Sequence, residues 1–222
     1  TKRFDIAKDI FLTGTRDIKF GLVPNGYSGY DNRPLYNSVD SSLLLFEQTQ
    51  KYLEYTDDHK FVKQNVYPKM KKIIENYISG IYLDDNNIYL DEDGLIVSGT
   101  DQTQNTWMDA KYKGFAVTPR NGKAVEINSL WYNALKIMAT LSKKYESFAK
   151  KMESKHYEEL AEKCRESFVK QFYNEKRKCL YDVIGDAKIR PNQLFALSLK
   201  YPVIDPTSEI AKNIINVVEK KL

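Results

Sequence analysis

Residues 124–142 read Ala-Val-Glu-Ile-Asn-Ser-Leu-Trp-Tyr-Asn-Ala-Leu-Lys-Ile-Met-Ala-Thr-Leu-Ser. Wound as a helix, this stretch puts Leu130, Trp131, Leu135, Ile137 and Met138 over most of its circumference, and a helix that is apolar all round belongs in an interior. The segments near 38–55 and 192–200 have the same character. By contrast, the helical patterns at 3–19, 58–79, 147–173 and 208–220 are amphipathic, each with one charged face. Buried and half-buried helices therefore alternate along the chain. Two concentric rings of helices produce that alternation, so the expected fold is all-α, an (α/α) toroid whose inner helices start after long loops at one end. Roughly seven helices are countable, fewer than a closed ring of six helical hairpins requires. The 222 residues then read as a single domain, 1–222, forming part of such a barrel.

Punctuation refines the pattern. Gly21 and Pro24 close the first helix, 21–37 reads as a loop, Asp57-Asp58 opens the third helix and Gly80 ends it. Pro68 falls inside that third helix and predicts a break in its hydrogen-bond ladder. Residues 81–98 alternate apolar and polar around acidic turns, which predicts a small β-hairpin, and 179–190 predicts a second short strand pair. The span 99–123 reads as a loop.

Composition is that of a water-soluble globular chain: 42% apolar, 29% charged, net charge +4. Basic residues are interspersed with acidic ones, which argues against a nucleic-acid partner. No apolar run reaches the ~18 residues that cross a bilayer, so no membrane partner is expected. Cys164 and Cys179 have no redox or metal-ligand spacing and fit a reducing, cytoplasmic setting. His59 and His156 fall on charged helix faces and read as solvent-facing. The acidic strings at 84–87 and 91–94 lack a complete calcium-loop pattern and read as turns. Nothing in the chain calls for a metal or a cofactor. The first residue is Thr, and the chain reads as a piece of a longer polypeptide.

Polar residues collect at three loop-to-helix junctions: Tyr36 to Ser42 with Asp40, Glu126 to Asn133 with Asn128, and Arg190-Pro191-Asn192-Gln193. At one end of a toroid they would converge. Glu126, Tyr132 and Asn133 share a face of a helix otherwise made for burial, and buried polar groups need partners. Each residue also has a plain structural reading: Asp40 and Glu126 suit a helix N-terminus, and Asn192 suits a cap. Asp109 is the sharpest candidate. It follows Trp107 and Met108 in a loop, where apolar neighbours would raise its carboxyl pKa toward that of a general acid at neutral pH. Two carboxyls with aromatic and amide groups are what glycoside hydrolysis requires.

The segments GLVPN (21–25), YNSVDSSLLLFE (36–47), TWMDA (106–110), TPRNGKAVEINSLWYNAL (118–135) and RPNQLFALSL (190–199) together resemble the C-terminal glucosidase domain of glycogen debranching enzymes. The resemblance implies an (α/α)6 barrel of the six-hairpin glycosidase type that removes single α-1,6-linked glucosyl stubs from glycogen or limit dextrin with inversion. It makes Asp109 the general acid and places Trp107, Arg120, Glu126, Asn128, Trp131, Asn133, Asp40, Arg190, Asn192 and Gln193 at the sugar; Tyr36, from the first polar junction, is a further substrate-binding candidate. The family has a general base on a Glu downstream of RPNQ, beyond Leu222. Unless Glu126 takes that role, this chain alone is expected to lack the base. A part-barrel also predicts self-association or a missing neighbour. The alternatives are another (α/α)6 exo-glycosidase, glucoamylase-like or trehalase-like, and a non-catalytic glucan-binding fragment.

Overall fold

A computed structural model describes residues 2–83, 86–108, 110–146 and 151–222. Helix dominates: α1 (Phe4–Arg16), α2 (Asp40–Thr56), α3 (His59–Phe61), α4 (Tyr67–Ser79), α5 (Val125–Tyr145), α6 (Lys151–Phe172), α7 (Phe195–Ser198) and α8 (Glu209–Lys221). Among the described residues, four separate two-stranded antiparallel hairpins decorate it: β1–β2 (Gly26–Tyr27, Pro34–Leu35), β3–β4 (Ile88–Leu90, Ile96–Ser98), β5–β6 (Lys111–Tyr112, Phe115–Ala116) and β7–β8 (Tyr173–Asn174, Cys179–Leu180).

The helix broken at Pro68 behaves as its chemistry demands. Proline has no N–H, and its ring collides with the carbonyl four residues earlier. The chain widens into a π-helical turn at Val62–Val66, closed by Tyr67 N–H donating to Val62 O, before α4 resumes. Asp58 opens α3 by accepting from Phe61 N–H at 3.0 Å, and Ser208 opens α8 by accepting from Ala211 N–H.

The order of the layers follows from a few long-range contacts. Asn133 Nδ2 on α5 donates to Glu47 Oε2 on α2 at 2.9 Å. At the far end His59, just past α2, meets the Tyr145 hydroxyl at 2.6 Å. α2 and α5 are therefore parallel, starting together and ending together. α6 runs back along α5, as Ser154 Oγ donates to Ala139 O and Cys164 reaches Asn128 O. α4 runs back along α2, with the Tyr77 hydroxyl on Val39 O. The chain after α7 crosses α2 and α5 at mid-height, where Lys200 N–H meets Glu47 and Tyr201 N–H meets Asn133. The helices α2 and α5 thus lie side by side, with α4 packed along α2 and α6 along α5. α5 is buried along nearly its whole length.

Four expectations need correction. α1 stops at Arg16, because residues 19–22 form a tight turn with Phe20 and Gly21 both at positive φ. The loops 21–37 and 99–123 each carry a hairpin; in the second, Lys113 (φ 50°) and Gly114 (φ 84°) make the left-handed two-residue turn that joins twisted strands. The segment 192–200 is a 3-10 turn (Pro191–Leu194) followed by a single α-turn ending at Ser198, since Leu199 is extended. His59 is half-buried and packs edge-on against Tyr145 rather than facing water.

A candidate carbohydrate site at the shared helix starts

Asp40 and Glu126 each lie seven residues before the bonded Glu47–Asn133 pair, so both stand about 10 Å above it, on the same end of the layer. Backbone hydrogen bonds weld this end together. Ser98 and Gly122 exchange N–H···O bonds of 3.0 and 2.8 Å, Gly99 N–H donates to Asn86 O, and Val39 N–H donates to Asn105 O at 2.8 Å. The Asn86 side chain donates to Tyr36 O, and Asn105 Nδ2 donates back to Asn86 O. The loop entering Trp107 is therefore pinned to the start of α2. Thr103, Asn105 and Thr106 are buried in that loop, and Trp107 emerges from it 48% exposed. Asp109, the expected acid, lies outside the described residues.

Within the α2 junction, Asp40 accepts from Ser38 Oγ in the first helical turn, and the Tyr36 hydroxyl donates to Asp17 O. Beside the loop a cleft of about 350 Å³ is lined by Tyr82, Asn87, Thr100, Gln102, Thr103 and Lys111. None of these six was a sugar-site candidate in the sequence; Asn87 was read there only as part of a turn.

The second junction is a buried ionic cluster. Arg120, 3% exposed, makes two hydrogen bonds to Glu126 and two to the Asp182 carboxylate, with a further one to Asp182 O. Arg190 Nη1 and Asn192 Nδ2 also donate to Asp182. Gln193 closes the turn behind them, accepting from Leu180 N–H and donating to Arg190 O. Burial by itself would lower the Arg120 pKa, but its two carboxylate partners overcome that and hold it above its ordinary value. Burial pushes the Glu126 carboxyl up, against the pull of Arg120. Asp182 was missed in the sequence; the available signal was a lone acid inside the apolar run 179–184.

The structure thus brings Arg120, Glu126, Arg190, Asn192 and Gln193 together, and separately joins Tyr36 and Asp40 to the Trp107 loop. Three expected sugar contacts sit elsewhere. Trp131 is wholly buried, stacked on Tyr77, and its indole N–H donates to Gly94 O. Asn128, also fully buried, spends its amide on Ile96 and Ala124. Asn133 is engaged at mid-helix by Glu47 and Tyr201, so the polar stripe of α5 finds its partners inside the protein. Glu126 has both oxygens on Arg120, an arrangement for holding a cation rather than for activating water. Asp91 and Asp93, in the acidic turn, are taken by Lys123 at 2.7 and 2.6 Å; Asp84 and Asp85 lie outside the described residues. Among the described residues no helix is long and apolar enough to cross a membrane.

The fold of this chain recurs in part of two solved rhamnosidases. A rhamnosidase from Klebsiella oxytoca with rhamnose bound superposes with a TM-score of 0.72 at 12% identity, over 99% of this chain and 38% of that one. The family 78 rhamnosidase of Bacillus sp. GL1 superposes at 0.66 and 15% identity, over 98% of this chain and 20% of its own.

The sequence itself goes further: it matches the amylo-alpha-1,6-glucosidase family model over residues 1–222, and the chain belongs to that family. It is 26% identical to the glycogen debranching enzyme of Saccharomyces cerevisiae over 65% of this chain, and spans 13% of the length of that relative.

Proposed function

We propose that this chain is part of an (α/α)6 glucosidase barrel that hydrolyses α-1,6-linked glucose from branched α-glucan, glycogen or limit dextrin, with inversion. Asp109 protonates the glycosidic oxygen. Trp107 offers its exposed ring to the sugar, and Asp40, Arg190 and Asn192 offer hydrogen bonds to its hydroxyls. Arg120 and Glu126 hold the wall of the site rather than react. The base is then a carboxylate other than Glu126, the downstream Glu that the family resemblance implies, roughly 6.5–9.5 Å from the acid to leave room for water.

The observation that carries this reading is the common end of the parallel helices α2 and α5, where the Trp107 loop and the ionic cluster are welded into one backbone network, in a chain of this family. The test is glucose release from a glucosyl-branched maltodextrin, by this chain and by the full natural polypeptide, with Asp109→Asn beside each. Release by the full polypeptide that Asp109→Asn abolishes is the expected result. Full activity in that variant would sink the assignment. Disaccharides of other linkages in the same assay separate this activity from glucoamylase-like or trehalase-like hydrolysis, and binding without release would mark a glucan-binding fragment.

A further inference from the structure

We propose that Asp182 is a positioning residue of the saccharide site, holding the Arg190 guanidinium and the Asn192 amide in place for sugar hydroxyls; the inference rests on the glucosidase reading above. The Asp182 side chain is 1% exposed. Its Oδ1 accepts from Arg120 Nη2 at 3.0 Å and from Asn192 Nδ2 at 3.1 Å, and its Oδ2 accepts from Arg120 Nε at 2.8 Å and from Arg190 Nη1. Four donors fill the acceptor sites of one carboxylate. The backbone of Asp182 is equally constrained: its carbonyl accepts from Val125 N–H, the first residue of α5, and its N–H donates to Asp186 O. One residue therefore ties the 118–123 loop, the start of α5 and the turn at 190–193 to a common point.

The cluster is arranged from inside outward. Arg120, Glu126 and Asp182 are buried, whereas Arg190 is 19% exposed at its side chain and Asn192 is half-buried. Among the described residues, Arg190 Nε and Nη2 and Asn192 Oδ1 make no hydrogen bond, so donors and an acceptor remain for a ligand. A fixed guanidinium beside a fixed amide suits vicinal hydroxyls, which accept from the first and exchange bonds with the second. Asp186 Oδ2 lies 3.7 Å from Arg190 Nη1 and pairs with Lys188 at 2.9 Å, so three cations, Arg120, Arg190 and Lys188, balance three carboxylates, Glu126, Asp182 and Asp186. Burying such a set seldom adds stability over apolar packing, while it does fix direction, which a binding wall requires.

The experiment uses the full natural polypeptide with glucosyl-branched maltodextrin as substrate. Asp182→Asn keeps the shape but turns an acceptor toward a donor. It is expected to raise KM about tenfold with kcat within about threefold, the signature of lost uniform binding. Reaction of Arg190 with phenylglyoxal, mapped by peptide mass spectrometry, should quicken in the same variant. In an Arg190→Ala/Asn192→Ala background, Asp182→Asn should add no further loss, because it acts through those two residues. Unchanged KM and Arg190 reactivity, or a penalty that simply adds, overturns the inference. If Asp182→Asn does not fold, Asn192→Ala carries the test: it keeps the buried part of the cluster, and an unchanged KM there overturns the inference too. A wild-type polypeptide that neither releases glucose nor has Arg190 protected by the substrate overturns the glucosidase reading itself, and the inference with it. Wild-type activity with indifferent variants overturns the positioning role alone.

Discussion

Arg120→Met removes the cation at the centre of the buried cluster while keeping an apolar stem of similar length. The wild-type guanidinium makes five hydrogen bonds, to Glu126, the Asp182 carboxylate and Asp182 O. At about 1.5–3 kcal/mol for each charged bond the gross sum is roughly 7–15 kcal/mol. Desolvation of three charges offsets most of it, and breaking a buried pair typically costs about 3–5 kcal/mol. At ~2–4 °C per kcal/mol for a chain of this size, Tm should fall by roughly 6–20 °C. The loss should depend on pH. Glu126 is already raised by burial, and without Arg120 its folded pKa rises further above its unfolded value. The variant's deficit is therefore largest at neutral pH and shrinks as pH falls through the folded value, where Glu126 binds a proton. Urea titrations followed by far-UV circular dichroism at several pH values measure the deficit, and Arg120→Met/Glu126→Gln should recover much of it. A deficit under about 1 kcal/mol at neutral pH, or one that grows on acidification, would refute the account of the cluster.

Other outcomes follow from the same geometry. Trp131→Ala should cost about 3–5 kcal/mol, because the ring is buried on Tyr77, whereas exposed Trp107→Ala should cost less than about 0.5 kcal/mol yet weaken maltodextrin binding; equal effects on stability would contradict the placement of the two rings. Hydrogen bonds from Lys200 and then Lys51 hold Glu54 at about 2, so its contribution is present above the ordinary carboxylate range and is lost as pH falls from about 4.5 through about 2. Lys200→Ala should flatten that part of the acid limb by about 0.2–1 kcal/mol, the pair being partly exposed, and an unaltered limb would show the ion pair to be idle. Gly99→Ala should destabilise by about 1–3 kcal/mol, since φ is +75° and a Cβ would meet Thr103 Oγ1 at 2.5 Å; a neutral change in a thermal melt would contradict that fit.

The sequence by itself determined what depends on near neighbours. The burial of α5 was legible because its apolar residues recur within a few turns, and the break at Pro68 because a missing N–H acts on its own ladder. The shared polar character of the three helix starts was visible as composition. What those polar residues do was decided only by the tertiary structure. Trp131 and Trp107 are alike as letters, yet one is sealed against Tyr77 and the other emerges from a pinned loop. Asn133 pointed to a site until its partner proved to be Glu47, 86 residues away, and the carboxylate at the centre of the ionic cluster, Asp182, lies 62 residues from Arg120. Hydrophobic periodicity is local and survives in one dimension. A hydrogen-bond partner brought in by the return of a distant segment leaves no trace in the spacing of either residue, so only the folded chain separates a wall of the site from a stitch in the core.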